Sequence, residues 1–268
     1  MPVRSITSPL ASAQQKLELD RRTHDELPLL EARSGTAAAR VAARLRGHSP
    51  ISVYALLLVL GWAVVAAITV AVGFLLVDVL VPVHTIGHDD EAVNTWFASH
   101  RTPTRNDLSY IGSSIGDVPV LPALVTLVVL VAAALRRWRI IAFVLGAILV
   151  EVATYRVASL IVHRNRPSVH RLDHLPVNQS FPSGHVAASV AVYVALALLV
   201  TSRFPQRWVH AAAWTLAILL PLIVALSRMY RGMHHPTDAA SGALMGLAAV
   251  ACALLATRAA DGTARLRR

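Results

Sequence analysis

Six runs of apolar residues divide this 268-residue chain, and proline, glycine and charged residues collect in the stretches between them. The runs cover roughly Val53–Leu80, Val118–Leu135, Ile140–Val162, Val186–Thr201, Trp208–Leu226 and Ala239–Ala256. A helix needs about 20 mostly apolar residues to cross a bilayer. Repetition of such runs between helix breakers predicts transmembrane helices rather than the interior of a soluble helical protein. The expected fold is all-α: a polytopic membrane protein built as a six-transmembrane-helix bundle. The fourth run is short, and its alanines leave its hydrophobicity moderate.

Composition agrees: 55% of the residues are hydrophobic, and the mean hydropathy is +0.56. Residues 1–50 differ. They are polar, carry charges of both signs, and lack an apolar core ahead of a small-residue cleavage site, which argues against a cleaved signal peptide. Within them "RSGTAAARVAARLRGH" (Arg33–His48) is basic and alanine-rich, suiting a helix on anionic headgroups. The rest is expected to be poorly ordered. The chain therefore divides into a cytoplasmic, largely disordered basic tail (1–50), a six-helix membrane domain (51–258) and a second cytoplasmic basic tail (259–268).

A net charge of +10 raises nucleic acid as a partner, and the distribution of that charge removes it. With the N-terminus in the cytoplasm, eight basic residues precede the first run, and three lie in Arg136–Arg139. Two more are Arg203 and Arg207, and four follow from Arg258 onward. These are seventeen of the 25, an asymmetry that obeys the positive-inside rule and predicts both termini in the cytoplasm. The only cysteine, Cys252, lies in the last apolar run and reads as a small buried hydrophobe.

Three polar segments then face outward. The first, His84 to Asp117, carries Trp96 and Phe97 at spacing that suits a short interfacial helix. The other two, "VHRNRPSVHRLDHLPVNQSFPSGH" and "SRMYRGMHHPTD", hold six of the twelve histidines and five arginines. Loops that only touch headgroups do not need histidines at fixed offsets from arginine. In "SFPSGHVAAS" (Ser180–Ser189), Ser183 suits an N-cap whose hydroxyl accepts from first-turn N–H groups. Those N–H groups and the helix dipole favour an anion. His185 stands in the same first turn, able to carry a proton near neutrality. Further on, His234 and Asp238 are four apart, so on a helix a carboxylate can hold the imidazole. Pro236 fits the first turn of that helix, and the free ring nitrogen is then a nucleophile. Arg166 and Arg228 add planar, permanently charged forks that match phosphate oxygens. Together these are the parts of a metal-free phosphoryl transfer.

Arg166-Pro167, "PSGH" (Pro182–His185) and "SRMYRGMHHPTD" (Ser227–Asp238) resemble the three signature motifs of the type 2 phosphatidic acid phosphatases, the superfamily of lipid phosphate phosphatases and vanadium haloperoxidases. The third match is the most specific: Ser-Arg, five residues, His, three residues, Asp, all in register. The resemblance implies that His234 attacks phosphorus to form a phosphohistidine and that Asp238 orients it. His185 would protonate the leaving alkoxide and then activate water. Arg166, Arg228, Ser183 and the Gly184 N–H would hold the phosphate oxygens. It also implies six transmembrane helices with the site at the outer membrane face, no cofactor and no metal. One position departs: Ser159 stands where the family has a lysine, seven residues before Arg166. Arg156 would lie about 15 Å from Arg166 along a helix and lean away from it, so Arg164 is the expected substitute contact to phosphate.

The reading is an integral membrane phosphatase acting on a lipid phosphomonoester or diphosphate. Phosphatidic acid, phosphatidylglycerol phosphate, a polyprenyl (di)phosphate and a lysolipid phosphate are the candidate substrates. A phosphotransferase using the same intermediate and a non-catalytic lipid-phosphate binder or transporter remain as alternatives, and the oligomeric state is left open. Among residues outside the motifs, Glu151 lies fifteen positions before Arg166, about 22 Å along a helix. It is expected to pair within the bundle rather than act. His170 and His174 share i, i+4 spacing, but no metal site is expected there. Gly242 and Gly246 form a GxxxG read as close packing inside the bundle.

Overall fold

The computed structural model describes residues 27–83, 85–117, 119–173 and 178–267. Residues 1–26 of the N-terminal tail, and His174, lie outside them. Among the described residues a 3₁₀ turn, Pro28–Leu30, precedes nine α-helices. These are α1 (Ala37–Arg44), α2 (Pro50–Phe74, prolonged by a π-helical turn, Leu75–Leu80), α3 (Thr85–Ser99), α4 (Pro103–Ser114), α5 (Val120–Ala134), α6 (Trp138–Ile161), α7 (Gly184–Arg203), α8 (Arg207–Tyr230) and α9 (Pro236–Leu266). Helix starts follow local chemistry. Thr36, Ser49 and Thr102 cap α1, α2 and α4 by accepting from the N–H three residues on, and Pro50, Pro103 and Pro236 open α2, α4 and α9.

Six of the helices are the apolar runs of the sequence. Five are long and apolar enough to cross a bilayer, with mean hydropathies from 1.9 to 2.7. The sixth, α5, has only 15 residues, about 22 Å of helix, and ends before Arg136, whose φ is 55°. Leu127, Leu160, Ile218 and Leu244 point outward from the bundle and are exposed over more than half their surface. Large apolar side chains ringing a bundle in this way require an apolar surrounding, and the chain is a multi-pass membrane protein. In lipid the drive to associate is close packing rather than water release. The interior accordingly uses small residues: Ala191 and Ala195 of α7 meet Ala249, Ala253 and Ala256 of α9 around Phe143 and Ala147 of α6.

Both tails join the bundle further than the composition suggests. Leu27 and Leu30 are buried in the same core, and α1 packs Ala38 beside Ala259. Helix α9 continues through Leu266, so residues 259–266 are helical rather than a separate tail, and Asp261, Gly262 and Thr263 are buried. Asp261 explains this: its carboxylate accepts from the Ala32 N–H and from Arg265 and pairs with Arg139 at 2.7 Å. Arg258 donates to the Leu29 carbonyl at 2.6 Å. The sequence boundaries at 50 and 258 therefore fall inside packed structure.

The two glycines of the GxxxG lie on the face of α9 turned to α7. A Cβ at Gly246 would sit 2.5 Å from the Ala187 carbonyl oxygen, and one at Gly242 would overlap the Ser183 carbonyl oxygen. They are a packing seam within the chain, and the seam holds the start of α7 against the start of α9. Gly242→Ala has only backbone to displace. It is expected to cost about 1–3 kcal/mol, lowering the thermal midpoint of the detergent-solubilised protein. A variant with wild-type melting contradicts the seam.

Candidate active site

The three motif segments converge at one end of the bundle, tied by main-chain bonds. The Ser180 N–H donates to the Arg164 carbonyl (2.9 Å), and the Ser183 N–H donates to the Asp238 carbonyl (3.1 Å). The Arg166 guanidinium donates to the Met233 carbonyl at 2.5 Å. His234 closes the set: its Nδ1 lies 2.7 Å from the Ser180 carbonyl oxygen. A carbonyl only accepts, so Nδ1 carries the proton and Nε2 is left with its lone pair. His234 is buried. Burial first, and the nearby cations Arg228 and Arg166 after it, hold its pKa well below the usual 6.5 despite Asp238. The ring is therefore neutral at physiological pH.

The buried donors around it are the second feature. Arg228 is 3% exposed; its Nη1 donates to Ser113 and to Asp173 (2.9 Å), but among the described residues Nε and Nη2 have no partner. The Ser183 hydroxyl, wholly buried at the N-cap position of α7, has none either and does not cap its own helix as the sequence suggests. Orphaned buried donors cost on the order of 1–3 kcal/mol each. Beside two arginines and a helix N-terminus they define a cradle for an oxyanion. Gly184 is required at the first turn because a Cβ there would meet the Tyr155 ring at 2.9 Å. Arg166 senses Arg228 and Arg171, and burial together with this repulsion lowers its pKa to about 10, still charged at neutrality. Arg171, absent from the sequence reading of the cradle, is thus a further cation close to it.

Several expectations change here. Asp238 does not hold His234. Because Pro236 is the first residue of α9, His234 precedes the helix, and His235 is its N-cap. The i, i+3 pair of a capping box is therefore His235 with Asp238, bonded from the His235 main-chain N–H (2.9 Å) and Nδ1 (3.2 Å). Arg164 does not offer its guanidinium to phosphate. It is buried between two carboxylates, donating to Asp238 (2.5 Å), Asp90 (2.6 Å) and the Thr237 hydroxyl (2.7 Å). Ser159, at the lysine position, turns its hydroxyl back to the Arg156 carbonyl. Arg156 and Glu151, expected to point away or lie too deep, both line a cavity that also touches His185 and Gly184. His185 itself stands in the first turn of α7, its Nε2 3.2 Å from Asp117.

Asp90, Glu91, Asp117 and Asp173 are the residues that sequence reasoning missed. Asp90 and Asn94 are the buried face of α3, and Asp90 also accepts from the Thr237 N–H. Glu91 accepts from the Ser168 N–H and hydroxyl and faces His235. Partial burial works to raise its pKa, but Ser168 and His235 outweigh it and bring it below the ordinary value. Asp173 pairs with Arg228 and Arg231, and these contacts likewise overcome burial to lower its pKa. The "DDE" run of Asp89–Glu91 was the available signal for the first two.

Residues 140–261, which contain all three motifs, match the PAP2 superfamily. Over 107 residues, 40% of this chain, it is 35% identical to undecaprenyl-diphosphatase of Sulfolobus acidocaldarius, covering 48% of that protein. Over 87 residues, 32% of the chain, it is 32% identical to phosphatidylglycerophosphatase B of Bacillus subtilis, covering 42%. The chain thus spans just under half the length of these curated relatives. Its fold is similar to the crystal structure of a transmembrane PAP2 type phosphatidylglycerolphosphate phosphatase from Bacillus subtilis. The TM-score is 0.59 at 23% identity, over 76% of this chain and 94% of that one.

The Asp90–Arg164–Asp238 cluster makes a testable demand. Asp90→Ala removes one of two carboxylates from a buried guanidinium, a loss on the order of 3 kcal/mol. The solubilised variant is expected to melt several degrees lower than the wild type, with Asp90→Asn between them.

Proposed function

We propose that the protein is a metal-independent lipid phosphate phosphatase working through a phosphohistidine. The observation that carries this reading is the pairing of a neutral, buried His234, its Nε2 lone pair free, with the orphaned donors of Arg228 and Ser183. A carboxylate or sulfate would satisfy the donors, but only a phosphoryl group gives the imidazole something to attack. In this reading the Arg166 and Arg228 forks, the Ser183 hydroxyl and the Gly184 N–H hold the equatorial oxygens, where charge concentrates in the transition state. His234 Nε2 attacks phosphorus in line with the leaving oxygen. His185, its Nε2 donating a hydrogen bond to Asp117, protonates that oxygen and then takes a proton from the water that hydrolyses the phosphohistidine. Arg164 and Asp238 act indirectly by fixing the start of α9. The charge asymmetry supports both termini in the cytoplasm and the site at the outer face, where a lipid head can dock while its tail stays between helices. The names of the curated relatives support lipid phosphates or diphosphates as the substrate class.

Detergent-purified protein is expected to release phosphate from lipid phosphates in EDTA and to be blocked by vanadate, a mimic of the transition state. His234→Ala is expected to lose turnover by on the order of 10⁴-fold while retaining vanadate-sensitive lipid binding. His185→Ala is expected to keep more activity on p-nitrophenyl phosphate, whose leaving group needs no proton, than on a lipid ester. Wild-type turnover in His234→Ala overturns the mechanism. Activity lost in EDTA and restored by a divalent cation overturns metal independence.

The pH profile gives an independent check. Since the pKa of His234 is held below 6.5, kcat/KM is expected to stay level through pH 6.5 and fall only at lower pH, as the free enzyme's nucleophile protonates. Stability moves with it: below pH 6.5 the unfolded chain takes up a proton that the folded chain refuses, so the thermal midpoint falls on acidification through that window.

A further inference from the structure

Beside the phosphate cradle, α5, α6 and α7 enclose a cavity of about 490 Å³ that begins at His185 and Gly184. Its walls are mostly hydrocarbon, including Leu121, Val125, Ile148 and Val192, which suits a lipid tail. Besides Asp117 and the exposed Arg156, two polar lining residues do not suit one: Glu151 of α6 and Thr126 of α5. Glu151 is 2% exposed and forms no hydrogen bond or ion pair among the described residues. An acid buried in an apolar wall without a partner is costly and marks function more often than packing. Its level in the cavity is defined. Tyr155, one helical turn above it, lies against Gly184 of the cradle, so the carboxyl sits about 6 Å further along the helix than that contact.

That level is where lipid phosphates differ. In a glycerolipid or sphingoid phosphate, the first few atoms beyond the phosphoester oxygen carry hydroxyl, amine or ester groups. In a polyprenyl or alkyl phosphate the same atoms are hydrocarbon. A hydrocarbon there leaves Glu151 unpaired, whereas a polar backbone gives it a partner.

We propose that Glu151, assisted by Thr126, is a specificity-determining residue that reads the polar backbone of a glycerolipid-type phosphate and disfavours polyprenyl phosphates. The inference rests on the phosphatase reading and sharpens it.

The test is kcat/KM in micelles of one detergent for lysophosphatidate, diacyl phosphatidate, dodecyl phosphate and a polyprenyl phosphate, measured on wild type, Glu151→Gln and Glu151→Leu. Wild type is expected to favour the two glycerolipids by about tenfold or more, the cost of one unmatched buried polar group. Glu151→Gln, still polar, is expected to keep most of that preference. Glu151→Leu is expected to lose it, slowing on glycerolipids and gaining on the hydrocarbon phosphates. A faster lysophosphatidate identifies the hydroxyl as the group read, and a faster diacyl lipid identifies the ester; either supports the proposal. Equal preference in wild type and Glu151→Leu, or a wild type that favours the polyprenyl phosphate, overturns it while leaving the phosphatase intact. No turnover of any of the four by wild type fails the phosphatase reading itself.

Discussion

One buried guanidinium organises the active end of this molecule. Arg164 follows α6, Asp90 comes from α3 and Asp238 from the first turn of α9, and the ion pairs at 2.6 and 2.5 Å join all three. Away from water none of these charges can be left without its partners, since an uncompensated buried ion costs on the order of 3–5 kcal/mol. The demand is geometric as well as energetic, because a guanidinium offers its donors in a rigid plane. Once Arg164 is placed, its carbonyl positions Ser180, and the Ser180 carbonyl in turn aims His234. The His234 imidazole is therefore held by a relay of main-chain groups whose anchor is an ion-pair cluster away from the cradle.

The two adjacent histidines show how a helix boundary assigns roles. His235 is the N-cap of α9 and spends its ring on Asp238 and Glu91. His234, one residue earlier, escapes the helix and the carboxylates and meets a carbonyl instead. A carboxylate bonded to its Nδ1 would favour a charged ring, whereas a neutral carbonyl fixes the tautomer without doing so. Two arginines near a buried imidazole push the same way. The cradle thus keeps its positive charge on the arginines, where the proposed function uses it to hold phosphate, and off the imidazole proposed as nucleophile.

Below this polar end the bundle is built on small residues, and the α7–α9 seam at Gly242 and Gly246 brings the PSGH and third-motif segments into register. On the other side of α7 the packing is looser, and the apolar cavity between α5, α6 and α7 opens there. Tight packing on one flank of His185 and space on the other leave this cavity as the route that the proposed function gives a lipid to the cradle.

Much of this was legible in the residues alone. Apolar runs of bilayer length are a one-dimensional signal, and they mark six helices to within a few residues, except that α9 runs ten residues past Ala256 to Leu266. The PSGH and "SRMYRGMHHPTD" motifs select His185, His234, Arg228 and Ser183 because their spacing is set by local backbone chemistry. Pairings between distant segments were not legible. Asp90 lies 74 residues from Arg164 and 147 from Thr237, and no local period links them. The i, i+4 offset of His234 and Asp238 assumed that the helix had already begun at residue 234, and Pro236 at its first position shifted the pairing to His235. Glu151 was misjudged for a related reason: its depth was counted along the chain to Arg166, although the cavity reaches it sideways from α7. Sequence spacing measures distance within one element, and only the packing of elements decides which side chains share a site.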